Sequence, residues 1–83
     1  METAEPESGA DYERGLRLYR SRSFREALTN FTGVAQAEPD RADVHYLIGY
    51  CHLMLKEFQQ SLDAFQRSFD SDPEFDPRTI YQK

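Results

Sequence analysis

Residues 12–39 read YERGLRLYRSRSFREALTNFTGVAQAEP, and residues 46–73 follow the same pattern 34 positions later as YLIGYCHLMLKEFQQSLDAFQRSFDSDP. Six residues coincide without a gap at this interval: Tyr12 with Tyr46, Gly15 with Gly49, Phe24 with Phe58, Leu28 with Leu62, Phe31 with Phe65 and Pro39 with Pro73. A fixed period of this length indicates stacked supersecondary units, which present surfaces to other molecules rather than enclose reaction chambers. The sequence therefore predicts two tandem units, residues 8–41 and residues 42–75.

Each unit has the apolar spacing of two helices. In the first unit a helix is expected over about residues 9–21. The second helix begins at a capping box, in which the Ser23 hydroxyl accepts a hydrogen bond from the backbone N–H of Glu26 and the Glu26 carboxylate accepts one from that of Ser23. Its apolar residues recur at intervals of three and four and end before Pro39. We expect the stripe that they form to face the first helix.

The second unit continues in the same way. Asp40 is positioned to cap the third helix, which has almost no polar face and is therefore expected in the middle of the stack. A fourth helix is expected over about residues 58–71. Its apolar residues lie on one face, and they are Phe58, Leu62, Phe65 and Phe69. Asp76 followed by Pro77 pairs an N-cap residue with proline at the first helical position, which predicts a short capping helix over residues 76–83.

Small and aromatic residues occupy fixed positions in both units. They are Gly15, Phe24, Ala27, Phe31 and Pro39 in the first unit and Gly49, Phe58, Ser61, Phe65 and Pro73 in the second. As a set they resemble the tetratricopeptide repeat. The resemblance implies an all-α fold, in which tandem helix-turn-helix repeats form a short right-handed α-solenoid of four helices plus the C-terminal capping helix. Each glycine would let the paired helix approach closely and place Ala27 or Ser61 against it, while the phenylalanines fill the space around that contact.

The chain departs from the family pattern in two ways. Asp11 and Arg14 stand where the family usually has large apolar residues, which predicts a polar N-terminal edge of the stack. Arg22 and Lys56 stand in turns where the family often has glycine, which weakens those turns slightly.

Composition limits the compartment and the partners. The net charge is −5, from 15 acidic and 10 basic residues, and this balance weakly repels polyphosphates, so we expect no nucleic-acid partner. Cys51 is the only cysteine, so no internal disulfide is expected. Residues 1–7 are acidic and predict a disordered tail. They lack the features of a signal peptide, and no later stretch approaches the roughly 18 apolar residues of a membrane span. A cytoplasmic protein without a membrane partner is expected.

The resemblance places partner binding on the concave surface lined by the first helix of each unit. The residues expected there are Tyr12, Leu16, Tyr19, Tyr46, Tyr50, Leu53 and Met54. Aromatic residues are enriched at interface hot spots, which favours this interpretation. The alternative is that these side chains complete the core or lie beneath the capping helix. Arg17 and Arg20 belong to a basic cluster that either steers an acidic partner or forms a solvated face balanced by nearby acids.

Several other functions are disfavoured. The carboxylate clamp that binds chaperone tails in this family requires lysine and asparagine where this chain has Tyr12, Leu16 and Leu47. His45 and His52 are about 10 Å apart along a helix, so they do not close around one metal ion. The sequence has no phosphate loop and no catalytic arrangement of serine, histidine and acid, so neither a cofactor nor enzyme activity is expected.

The leading interpretation is a non-catalytic adaptor or scaffold, which holds an apolar or amphipathic segment of a partner protein on its aromatic groove. One alternative is self-association through the same groove, because repeat arrays generally need at least three units for stability. Another is that the chain is part of a longer array.

Overall fold

The computed structural model describes residues 8–81, with side chains described for residues 11–80. The predicted disordered tail, residues 1–7, lies outside the described residues. So do the last two residues of the predicted capping helix.

Four α-helices in two antiparallel pairs make up the fold. They are α1 (Ser8–Arg20), α2 (Phe24–Ala37), α3 (Ala42–Met54) and α4 (Phe58–Ser71). The helix α1 packs on α2 and α3 packs on α4, while α2 and α3 join the two pairs. Residues 8–81 contain no strand. The predicted all-α architecture with two helical repeats is therefore confirmed.

The core runs through both repeats. Four residues of α2, Ala27, Leu28, Phe31 and Val34, are buried, and three residues of α3, Val44, Leu47 and Cys51, are inaccessible to solvent. The helix α3 contacts α2, α4 and the C-terminal segment. It occupies the central position that its lack of a polar face predicted.

In each helix pair, the two helices approach closely at a glycine of the first helix. A Cβ added to Gly15 would lie 2.6 Å from Phe31 Cε1, and a Cβ added to Gly49 would lie 2.7 Å from Phe65 Cδ1. The groups that face the glycines are therefore phenylalanine rings. The prediction that phenylalanines fill the space at each notch is confirmed, and Ala27 and Ser61 are buried on the same helices as these rings.

The turns inside the two repeats have the same hydrogen bonds. In the first, Ser23 N–H donates to Leu18 O at 2.8 Å and Arg22 N–H to Tyr19 O at 3.1 Å. This pair of bonds is the Schellman motif, which requires a left-handed residue after the helix. Arg22 takes that position with a φ of 67°, and Lys56 takes it in the second repeat with a φ of 65°. Both turns form with a non-glycine residue at this position.

Two predicted helix caps differ from the structure. Ser23 is the N-cap residue of α2, but its side chain makes no capping hydrogen bond, so the predicted capping box is wrong. Asp40 does not cap α3, whose N-cap residue is Arg41. Instead Asp43 Oδ1 accepts a bond from the Val44 N–H at 2.9 Å. An acid three residues after Asp40 thus satisfies the start of the helix.

The C-terminal segment contains the predicted short helix. Pro77–Tyr81 forms a 3₁₀ helix of 5 residues. Ile80 is 9% exposed and joins the core, and the segment contacts α3. Three apolar residues on the outer side of α4, Phe58, Leu62 and Phe69, stay between 59% and 64% exposed. The segment therefore leaves this side of α4 open.

Candidate partner-binding surface

Tyrosines of the predicted concave face join the two repeats. The Tyr19 ring centre lies 5.5 Å from that of Tyr50, at an angle of 66°. Tyr19 also lies 6.0 Å from Phe24 and 6.5 Å from Phe31, in both cases edge-on. Edge-on aromatic pairs stabilise a fold by more than the burial of their apolar surface alone. The first helices of the two repeats are thus held together where the face was predicted.

Exposure of the predicted residues varies along this face. Leu16 and Tyr19 are each 8% exposed and belong to the core. Tyr12, Tyr46 and Tyr50 are half-buried and pack against the core. Leu53 and Met54 are each 38% exposed. A partner on this face would contact Leu53, Met54 and the open edges of the three half-buried tyrosines.

A small pocket opens at one end of this face. It has a volume of about 200 Å³, and its lining residues are Tyr19, Arg20, Arg22, Phe24, Tyr50 and Met54. Four of them were predicted as site residues. Arg22 and Phe24 were not predicted, because it is the left-handed turn between α1 and α2 that places them beside the pocket. The predicted Arg17 is exposed on α1 and does not line this pocket.

Charged groups occupy the other end, beside Tyr12. The guanidinium carbon of Arg41 lies 4.6 Å from the centre of the Tyr12 ring, and Arg41 Nη2 donates to Asp43 Oδ2 at 2.7 Å. Burial, with the Asp43 carboxylate as a second cause, raises the pKa of Tyr12 to about 12. The hydrogen bond with Asp43 raises the pKa of Arg41. Tyr12 therefore keeps its proton at neutral pH, in a setting that is polar as well as aromatic.

Tyr46 lies nearer the C-terminal end of the chain. Its ring centre is 5.4 Å from that of Phe65 and 5.9 Å from that of Phe75. These three rings help to line a second hollow of about 240 Å³, which also reaches Phe69 and Pro77. Tyr46 thus connects the predicted face with the open side of α4.

A larger groove, which the sequence did not predict, crosses α2, α3 and α4. Its volume is about 520 Å³, and α3 contributes His45, Ile48 and His52. At 100° per residue these side chains point to the opposite side of α3 from Tyr46 and Tyr50. The signal in the sequence is the pair of histidines, His45 and His52, which lie two turns apart on the same side of an otherwise mostly apolar helix.

Both histidines of this groove are hydrogen-bonded within the chain. His45 Nε2 donates to Pro39 O at 2.7 Å, and His52 Nδ1 donates to Glu57 Oε1 at 2.8 Å. Arg25 Nη2 donates to the other oxygen of Glu57 at 2.9 Å. Over residues 8–81, no group of three or more histidine, cysteine, aspartate or glutamate side chains is placed to hold a metal ion.

Comparison with known proteins gives one match. The tetratricopeptide repeat family matches residues 12–74, and repeats of this family generally mediate protein–protein interaction. No curated protein and no solved structure matches the chain. Within the described part of the chain, no helix has the length and apolar character that crossing a membrane requires. The match covers most of the sequence and agrees with the two helical pairs, so the chain belongs to the tetratricopeptide repeat family.

Proposed function

We propose that the chain is a non-catalytic adaptor that holds a segment of a partner protein along the concave face of α1 and α3. The observation that carries this proposal is the pocket of about 200 Å³ between the repeats, which Tyr19, Tyr50 and Met54 line together with Arg20 and Arg22. A pocket of this size accepts one large apolar side chain. Buried apolar anchors of this kind dominate the energy of small interfaces.

Charge at the rim of the pocket favours acids beside that anchor. Arg20 and Arg22 line the pocket and are exposed, and Arg17 lies one turn away on α1. The rest of the protein is acidic enough to give a net charge of −5. A partner segment with one large apolar residue and neighbouring aspartate or glutamate fits this arrangement. Its binding should weaken as salt is added, because exposed charges are screened.

A peptide-phage selection on the intact chain tests the proposal. We expect the selected peptides to share an apolar residue next to acids, and calorimetry to show modest affinity, since two repeats offer little surface. Met54→Asp should weaken the binding of a selected peptide by about tenfold or more, because the substitution removes one anchor contact. Leu62→Asp on α4 is the matched control and should leave the affinity unchanged. Equal binding to the Met54→Asp chain would reject the pocket as the site.

A further inference from the structure

The two repeats differ in what covers their second helix. In the first repeat the outer side of α2 packs against α3, so Phe24 is half-buried and Leu28 is 9% exposed. The residues at the same positions of α4 are Phe58, which is 59% exposed, and Leu62, which is 64% exposed. The outer side of α4, which we call the α4 face, consists of the exposed Phe58, Leu62 and Phe69 and the exposed part of Phe65, whose ring also packs in the Gly49 notch of α3. Its three exposed residues have the chemistry of an interior surface but no helix packed on them among the described residues.

We propose that the α4 face binds the α4 face of a second copy of this chain, forming a twofold dimer with the two α4 helices antiparallel. This inference is independent of peptide binding on the concave face. Phe58, Leu62 and Phe69 leave roughly 350 Å² of apolar surface open, the scale at which an exposed patch marks an interaction site. A twofold axis needs a surface that is complementary to itself.

The spacing of the α4 face meets that requirement. Its residues follow one another at intervals of four, three and four positions, so the pattern reads the same in both directions. When two copies of α4 run antiparallel about the midpoint of the stripe, Phe58 lies opposite Phe69 of the second copy. Leu62 then lies opposite the exposed part of Phe65 of the second copy. Every apolar residue of the face meets another apolar residue.

The other end of the molecule rules out stacking from head to tail. Leu47 and Cys51 of α3, which face the first repeat, are inaccessible to solvent. The same positions of α1, 34 residues earlier, are Glu13 and Arg17, both exposed. A second α4 packed on α1 as α2 packs on α3 would take these two charged side chains out of water, at a desolvation cost that their mutual attraction does not reliably offset. Self-association through the α4 face is therefore closed at two copies.

The polar side chains beside the α4 face are compatible with the antiparallel dimer. Along one edge of the α4 face lie Gln59 and Gln66, whose neutral amides bond along their own helix to Asp63 and Asp70. In the antiparallel pair these glutamines meet each other across the axis. Each copy carries a net charge of −5, so the dimer should tighten as salt screens the repulsion. This is the opposite of the salt effect expected for the acidic peptide.

Sedimentation equilibrium of the full chain tests the proposal. From about 1 µM to 1 mM we expect a shift from monomer to dimer and no larger species, because the area is below that of a stable dimer. Leu62→Glu should leave a monomer with unchanged helicity by circular dichroism. Leu53→Glu, at an exposed leucine of the concave face, is the matched control and should still dimerise. A wild-type monomer at every concentration, species larger than a dimer, or a dimer abolished only by Leu53→Glu would overturn the proposal.

Cysteine crosslinking tests the antiparallel register. A mixture of Phe58→Cys and Phe69→Cys chains should form a mixed disulfide under mild oxidation. Each variant alone should crosslink poorly, because 11 residues along α4 separate like positions by about 16 Å. The native Cys51 is buried and does not interfere. Efficient crosslinking of Phe58→Cys chains alone would contradict the antiparallel arrangement.

Discussion

Gly15 and Gly49 set how closely the two helices of each repeat approach. A Cβ at either position would come within 2.6 to 2.7 Å of a phenylalanine ring atom. Phe31 has no exposed surface, so its ring cannot swing out without opening the core. We expect Gly15→Ala to lower the free energy of unfolding by about 1–3 kcal/mol through overpacking. Urea denaturation followed by circular dichroism measures the change.

Gly33 provides a control for the Gly15→Ala change within the same repeat. It lies in the interior of α2, and a Cβ added there meets nothing within 4 Å. Gly33→Ala should therefore raise the free energy of unfolding by about 0.5–1 kcal/mol, because alanine has the higher helix propensity. If Gly15→Ala were as well tolerated as Gly33→Ala, the glycine notch would not limit the packing of the repeat.

Lys56 is a residue in a conformation that suits glycine. Its φ of 65° is left-handed, and left-handed backbone costs an L-residue with a side chain roughly 1–2 kcal/mol. Glycine avoids this cost but loses more entropy on folding. We expect Lys56→Gly to raise the free energy of unfolding by about 0.5–1 kcal/mol, measured by urea denaturation. Lys56→Ala removes the same charge and keeps the strain, so a gain of equal size in that variant would refute the explanation.

At the scale of the elements, apolar spacing predicted that all four helices exist, and the stripes of α1, α2 and α3 contribute to one core. It did not predict how they begin. Several polar side chains near a helix start compete for the same few N–H groups, and Asp43 rather than Asp40 accepts the bond at the start of α3. The stripe of α4 was visible in the sequence too. Its exposure was not, because an apolar pattern does not show which element covers it.

The pocket of the candidate site could be predicted only in part. Helical spacing brought Tyr46 and Tyr50 to one side of α3, and repetition placed Tyr19 at the matching side of α1. The 5.5 Å separation of Tyr19 from Tyr50 depends on how the repeats pack, which no local pattern specifies. Arg22 lines the pocket because its backbone is left-handed, a conformation that the sequence would favour for glycine instead.

Glu57 links α2 to the turn between α3 and α4. Hydrogen bonds from His52 first and Arg25 second lower the pKa of its carboxyl group. The ionised carboxylate therefore stabilises the fold above its unfolded pKa of about 4.3, and this contribution is lost as the pH falls through the lower folded value. We expect Glu57→Gln to be less stable than wild type at pH 7, with the difference disappearing toward acid. Thermal unfolding from pH 7 to pH 3 measures it.

Glu26→Gln is the control for the Glu57→Gln experiment. Glu26 is an exposed glutamate of α2, so the substitution removes the same charge without breaking the link between the repeats. We expect its stability to follow that of wild type across the pH range. A loss equal to that of Glu57→Gln would mean that net charge, rather than the contacts with His52 and Arg25, explains the effect.

At the scale of the whole molecule, one core cluster contains residues of both repeats. Leu16 and Tyr19 come from α1, Phe31 from α2 and Cys51 from α3, while Ile80 joins from the C-terminal segment. Repeat proteins can unfold one unit at a time when the interface between units is weak. Here the interface includes the Tyr19–Tyr50 pair and the ion pair between Arg25 and Glu57. We therefore expect the two repeats to unfold together.

Cys51 makes this cooperativity measurable. Its side chain has no exposed surface, and burial raises the pKa of its thiol to about 12, so at pH 8 the folded chain holds almost no reactive thiolate. In the Leu62→Glu variant, maleimide should label Cys51 only when the folded chain opens. The free energy of this opening should equal the free energy of unfolding in urea to within about 0.5 kcal/mol. A Cys51→Ala chain carrying Gln66→Cys should label at once. Labelling of Cys51 at a much lower free energy would show that one repeat opens while the other stays folded.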